Sequence, residues 1–316
     1  MSGKNMKLAA IGASVIAVSL ALTGCGGSSA GSAAADAGSS SGGAVKIGDI
    51  TVTKDAKIAA MLPKKYQEGL RFATSAPYAP WETLDSNNKL VGLDIDTGQA
   101  MAAVLGVPYS ITSLSFDGLI PAVQAGKYDV ITSSMSDSKA REEMINSVNY
   151  SEQGNALLVQ AGNPQHITGM DDLCGHIVAR QTGDVFGALI DKLQGPCQAA
   201  GKRPVEVKTY PSTSAALLAL KSGEAQVQIG GADIAKPLIA ANPGALQLIT
   251  APASLPFGWS PQVGGAQTLK SETELAKALA AAAQKLIDDG TFKKLFDKYE
   301  MGDHLMPKVT VNEPMS

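Results

Sequence analysis

The residues best suited to chemistry in this chain are Ser133-Ser134-Met135-Ser136, followed one short polar stretch later by Arg141. The run follows the apolar pair Val130-Ile131 after Thr132 and reads as the end of a strand. Such an end frees its last backbone N–H groups, and Ser136 is placed to cap a helix starting there, so hydroxyls and N–H dipoles converge on one point. Arg141, on the first turns of that helix, supplies a planar fork matched to two oxygens. The chemistry on offer is recognition of a carboxylate. Taken alone, the segment also reads as a serine-rich strand end with a surface arginine.

These residues must be positioned by an alternation of short β-rich runs and helical patterns. Strands are expected at residues 70–73, 90–95, 109–112, 129–133, 156–160, 177–180, 205–209, 226–229, 246–249 and 257–263. Helices are expected at 98–105, 119–125, 138–145, 185–193, 214–221, 232–241, 272–289 and 291–299. This order specifies an α/β protein with largely parallel sheets. Ser271 and Glu274 have capping-box spacing, and Leu275, Leu279, Ala282 and Leu286 then fall on one helix face.

An internal repeat sharpens the reading. The stretch from Leu119 through Gly126 to Val130 has the plan of Ala216 through Gly223 to Val227: apolar helix, C-capping glycine, charged turn, strand. Two similar lobes follow, with the C-terminal strand ends of both directed at a crevice. In that register Ser133-Ser134-Met135-Ser136 corresponds to Gly230-Gly231-Ala232-Asp233, so a hydroxyl and arginine cluster faces a carboxylate.

Upstream, Lys4 and Lys7 precede an apolar run from Leu8 to Leu22 and then Leu22-Thr23-Gly24-Cys25, an export signal at 1–24 closing on a sequence that looks like a lipobox. Cys25 is expected to carry lipid and hold the chain on the cell membrane, extracytoplasmically. Residues 25–45 are a Gly/Ser/Ala tether. Cys174 and Cys197 then remain as a pair in an exported chain, where a disulfide is the natural assignment. His166, His176 and His304 are scattered without ligand spacing, so neither a metal nor a cofactor is expected. The net charge of −3, with basic residues spread evenly, excludes an electrostatic footprint for nucleic acid.

From about Phe72 to Tyr299 the chain resembles the extracellular solute-binding proteins that serve ABC transporters for polar amino acids. The resemblance rests on Ser75-Ala-Pro-Tyr78-Ala-Pro-Trp81-Glu82, Leu90-Val-Gly-Leu-Asp94-Ile-Asp96, Phe116-Asp-Gly-Leu-Ile-Pro121, the Gly126-to-Ser136 run, Arg141, Gln181-Thr182-Gly183 and Leu286-Ile-Asp-Asp-Gly290-Thr-Phe. It implies a two-lobed, type II periplasmic-binding-protein fold of two mixed sheets joined by a two-strand hinge. The crossing strands would lie near 156–160 and 256–261. Lobe one would comprise 46–158 and 257–305, lobe two 159–256, and the tail 306–316.

The resemblance further implies that Arg141 pairs with a ligand α-carboxylate, helped by the N–H groups of Ser136 and of Asp184 in the Gly183 turn. Ser134 and Ser136 hydroxyls would contact the polar head, with Ser133, Met135 and Gly183 also in the expected ligand-binding set, and Tyr78 and Phe116 would sandwich the side chain, although core packing remains open for both rings. Trp81 is expected in the lobe-one core. The family's usual aspartate for the ligand ammonium matches Gly231 here, and Asp233 lies two positions on. Either Asp233 or Asp184 reaches the ammonium by a shifted geometry, or the ligand is not an ordinary α-amino acid. Asp233 as a plain helix N-cap is the alternative.

The expected function is that of a monomeric, membrane-tethered receptor delivering a carboxylate-bearing amino acid or derivative to a permease and its ATPase, not an enzyme. Two other functions stay open: a dehydratase-like enzyme using Asp184, Asp233 or Glu82 as acid or base, and a sensor without transport.

Overall fold

The computed structural model describes residues 44–315. The export signal, Cys25 and all but the end of the tether lie outside them. A hairpin of β1 (Val45–Ile47) and β2 (Ile50–Val52) leads through α1 (Ala56–Ala59) into β3 (Leu70–Thr74). A second hairpin, β4 (Thr83–Leu84) with β5 (Leu90–Val91), precedes α2 (Leu93–Leu105), β6 (Tyr109–Ser113), α3 (Leu119–Gln124), β7 (Val130–Ser136) and α4 (Lys139–Glu142). The chain then crosses in one long strand, β8 (Ile145–Gln160). Beyond it lie β9 (Ile177–Gln181), α5 (Phe186–Ala199), β10 (Glu206–Tyr210), α6 (Thr213–Ser222), β11 (Val227–Gly231), α7 (Ala235–Ala241) and β12 (Leu246–Ile249). It returns through β13 (Trp259–Leu269) to α8 (Thr273–Asp288), α9 (Thr291–Lys298) and β14 (Leu305–Val311).

The strands are hydrogen-bonded in the order β10-β9-β11-β8-β13-β7-β3-β6. Each end is parallel, β10-β9-β11 in one half and β7-β3-β6 in the other, and the antiparallel pair β8 and β13 joins them. The two expected sheets are therefore one continuous ladder, because the crossing strands are far longer than their sequence suggests. At the crossing, a side chain on Gly154 would overlap the carbonyl of Phe257, so only glycine lets the segment entering β13 approach β8 there.

Several expected boundaries shift for local reasons. Residues 93–95, expected as strand, open α2: Gly92 at φ 137° turns the chain, and Asp94 and Asp96 then occupy the positive N-terminal turn. Ser136 ends β7 rather than capping a helix; Ser138 is the cap, its Oγ accepting from Arg141 N at 3.3 Å. The Ser271 capping box is not formed, and Glu272 at that helix start instead takes the Lys65 ammonium at 2.6 Å. Residues 306–311, expected in a tail, belong to β14 and pair with β8.

The apolar face of α8 is as expected, with Leu275, Leu279, Ala282 and Leu286 all fully buried. They join Phe72, Trp81, Tyr150, Phe292 and Phe296 in the core of the first half. The second half has its own core around Leu157, Val178, Ile190 and Cys197. Cys174 and Cys197 are disulfide-bonded at its edge, with Cα atoms 5.5 Å apart.

Candidate functional site

The two repeat units end where they should for a shared site. Helices α3 and α6 each stop at a left-handed glycine, Gly126 at φ 68° and Gly223 at φ 80°, before the strands β7 and β11. The C-terminal ends of these strands line one cavity: Ser133, Ser134 and Ser136 from β7, Gly230 and Gly231 from β11. Tyr78, Phe116, Arg141 and Asp184 line it as well. Of the expected ligand-binding residues, these seven side chains share the cavity and three others do not.

Met135 alternates to the opposite face of β7, where it is buried among Ala73, Leu119, Ile131 and Ile145. Gly183, at φ 83°, stands outside the lining but offers its carbonyl to the site. Asp233 is half-buried beside Gly231 and outside the lining, with its Oδ2 accepting from Trp81 Nε1.

Arg141 is 7 % exposed. Its Nη1 donates to Ser136 O at 2.6 Å and its Nη2 to Gly183 O at 2.9 Å, while the guanidinium lies 5.6 Å from the Phe116 ring centroid. Burial draws its pKa down to about 10, with Asp184 and Asp137 opposing the shift, so it remains a cation at neutral pH. Its direct acceptors are neutral carbonyls, which leaves a buried positive charge for an anionic group to meet. Asp184 is already engaged: its Oδ1 accepts from Arg180 Nη1 and from Phe186 N. Its charge is thus held by Arg180 rather than turned against an incoming carboxylate. The Asp184 N–H, expected as a ligand donor, points to Gln181 O at 3.5 Å.

On the other side of the serines the polarity reverses. Ser133 Oγ donates to Glu82 Oε1 at 2.8 Å and accepts from Ser75 N at 3.0 Å. Ser134 takes a left-handed φ of 45°, uncommon for a side-chain-bearing residue, which aims its N–H at Asp94. Glu82 and Asp94 are each 1 % exposed. Burial, Asp94 and Asp233 push the Glu82 carboxyl well above its ordinary range, and burial pushes Asp94 up to about 7. Burial also raises Asp233. Among the described residues, none of these three carboxyls forms an ion pair with a lysine or arginine.

Sequence reasoning did not single out Gln153, Asn155, Gln181 or Thr213 as lining residues, nor Glu82 as more than a candidate acid. Their signal was the polar pair Gln153 and Asn155 flanking Gly154 just before an apolar run, which marks a strand facing something wet.

The model of the bacterial extracellular solute-binding proteins, family 3, matches residues 70–303. The chain belongs to that family. It is similar to the arginine-binding protein ArgT of Corynebacterium glutamicum, 27 % identical over 263 residues that cover 81 % of this chain and 83 % of the relative. An ancestral arginine-binding protein, solved with arginine bound, is 31 % identical, with a TM-score of 0.65 over 73 % of this chain and 97 % of that one. A mutant of ArgBP from T. maritima superposes with a TM-score of 0.66 at 26 % identity, covering 75 % and 96 %. The resemblance read from the motifs thus holds, and the fold is the two-lobed one of amino-acid-binding proteins. These family 3 relatives are binding proteins rather than enzymes. Among the described residues, no helix is long and apolar enough to cross a membrane.

Proposed function

We propose that this chain is the ligand-capturing component of an ABC importer for cationic amino acids, with arginine the reference ligand. One observation carries the reading: the cavity is electrically two-ended. Arg141 presents a buried cation at one end, and Glu82, backed by Asp94 and Asp233, presents acid groups without a basic partner at the other. A ligand with a carboxylate and a distant cation satisfies both ends at once, and neither a dicarboxylate nor a purely apolar acid does. Phe116 lines the cavity beside Arg141 and Tyr78 beside Glu82 and Gly231, and both rings suit the methylenes of such a ligand, with cation–π attraction worth about 0.5–2 kcal/mol where a cation lies over a ring. The names of the relatives, several of which bind arginine, support the same class.

The absence of an acid at position 231 fits this picture. A Cβ on Gly231 would overlap both the Tyr78 hydroxyl and Asp233, so the carboxyl of Asp233 occupies the space a side chain from 231 would fill. Its Oδ1 is buried without a donor and adds negative potential behind Gly231. Closure of the lobes about the β8 and β13 crossing would trap the ligand and present the closed form to the permease and its ATPase. Lipid on Cys25 and the tether at 25–45 would keep this monomeric receptor at the cell membrane.

Calorimetry with L-arginine, L-lysine, L-ornithine, L-glutamine and L-glutamate tests the reading. Saturable heat from the cationic members and none from L-glutamate is expected. Binding of L-glutamate alone would reverse the ligand class, and no binding by a folded chain would end the receptor reading.

A further inference from the structure

Glu82 and Asp94 come from different segments, one following the Tyr78 turn and one in the first turn of α2, yet their carboxyl groups converge on adjacent residues of β7, Glu82 at the Ser133 hydroxyl and Asp94 at the Ser134 N–H. Each has one oxygen satisfied, Glu82 Oε1 by the Ser133 hydroxyl and Asp94 Oδ2 by the Ser134 N–H. Each has one oxygen, Glu82 Oε2 and Asp94 Oδ1, buried with no donor. Two ionised carboxylates in that arrangement repel at close range and strand two acceptors. A single proton between them removes both penalties.

The surroundings supply no other remedy. The titratable groups facing the pair are Tyr78, Tyr109 and Tyr150, which burial keeps neutral, and Asp233, which is itself an acid. Asp96 on the same helix is paired with Lys298 Nζ at 2.7 Å, so that ammonium is spoken for, and Asp184 is held by Arg180. His304 lies toward Asp233 and bonds the Glu152 carbonyl through Nδ1 at 2.8 Å.

Only Glu82 of the pair lines the cavity; Asp94 sits behind Ser134. A cation brought in by a ligand meets Glu82 first and can take the place of the proton. We infer that Glu82 and Asp94 share one proton in the ligand-free protein and release it to solvent when the cationic group of a ligand docks against Glu82, so that capture is a cation-for-proton exchange. No bond other than the O–H is broken. The pair passes from one negative charge to two as the ligand adds one positive charge, and the cavity's net charge is unchanged by the exchange at this end. The inference rests on the proposed cationic-amino-acid reading of the cleft.

The test is calorimetry of L-arginine binding to the full-length chain at pH 8, above the Asp94 value of about 7 so that the pair holds one proton, in buffers of low and high ionisation enthalpy. Release of about one proton per arginine is expected, seen as a linear dependence of the apparent enthalpy on the buffer's ionisation enthalpy. Glu82→Gln and Asp94→Asn should each bring that dependence close to zero. A measurement independent of either variant is the infrared difference spectrum of the parent chain. It should lose a protonated-carboxyl C=O band when arginine is added.

Arginine binding with a buffer-independent enthalpy and no loss of such a band would overturn the proton exchange while leaving the cationic ligand in place. Failure of any cationic amino acid to bind, with L-glutamine or L-glutamate binding instead, would overturn the ligand class and the exchange with it.

Discussion

Trp81 donates its indole N–H to Asp233, a residue 152 positions away in the opposite lobe. The ring itself is fully buried in the first lobe, edge-on to Phe296 with centroids 6.3 Å apart, and Ile234, next to Asp233, is packed into the same core. Asp233 is thus neither a simple N-cap nor a lining residue. It is the point where lobe two is pinned onto lobe one.

Trp81→Phe should therefore loosen the hold of the segment after β11 on the first-half core. It removes the donor to Oδ2, while the buried Oδ1 already has none, at a cost of about 1–3 kcal/mol. Urea denaturation of the ligand-free variant is expected to show that loss, and small-angle scattering a larger radius of gyration. Asp233→Asn keeps an acceptor for the indole and sheds a buried charge, so it should be close to neutral in stability. Equal stability of Trp81→Phe and the parent would mean that the hydrogen bond contributes nothing.

Arg141→Ala should lower arginine affinity by about 3 kcal/mol, or roughly 100-fold, because the ligand carboxylate would be buried without its counter-charge. Arg141→Lys should recover only part of this. An ammonium keeps the charge but cannot hold Ser136 O and Gly183 O in a planar fork while meeting two carboxylate oxygens. Calorimetric titration of both variants is the check, and parent-like affinity in Arg141→Ala would move the carboxylate site elsewhere.

How much of this was legible beforehand depends on whether the cause was local. The α8 face and the paired glycine stops at Gly126 and Gly223 are short-range patterns that survive in the structure, and the Ser133-to-Arg141 cluster keeps its hydroxyls and guanidinium on one cavity while Met135 turns into the core. The long strand β8 was legible only in its apolar last third. Its earlier residues Asn149, Ser151 and Gln153 are polar yet buried, satisfied by partners such as Asp137 at 2.8 Å and Gly264 O at 3.0 Å that only the tertiary fold supplies. The Trp81–Asp233 bond was invisible for the same reason. Glu82, read as a possible acid, gains its meaning from Asp94, twelve residues away in sequence and brought close by the β4–β5 hairpin and the Gly92 turn.

Position 231 offers a sharper probe of the site than loss-of-function changes. Gly231→Asp, which would supply the family's more usual acid, should destabilise the chain by about 1–3 kcal/mol because its Cβ overlaps the Tyr78 hydroxyl and Asp233. Combined with Asp233→Ala, which vacates that space, the same aspartate should be tolerated and arginine binding retained. Thermal denaturation and titration of the single and double variants read out the coupling. If the two changes are additive, Asp233 does not occupy the place of a side chain from 231.

The buried acids also set a pH dependence of the ligand-free fold. Asp94 is raised from 3.8 to about 7, and Glu82 is raised as well, so over that window the folded chain holds protons that the unfolded chain has lost. Stability from this source is complete below about pH 4 and is lost as pH rises through 7. Among the other carboxyls, Asp137, Asp184 and Asp233 are raised by burial and act in the same direction, whereas Asp172, Glu272 and Asp289 are lowered by their hydrogen bonds and ion partners and complete most of their change below pH 5. The ligand-free protein should therefore melt at a higher temperature at pH 5 than at pH 7.5. In Asp94→Asn, which keeps an acceptor for the Ser134 N–H, that difference should shrink. Saturating arginine should shrink it too, since a cation beside Glu82 stabilises the ionised pair. A ligand-free melting temperature that rises from pH 5 to pH 7.5 would mean that the pair carries no shared proton.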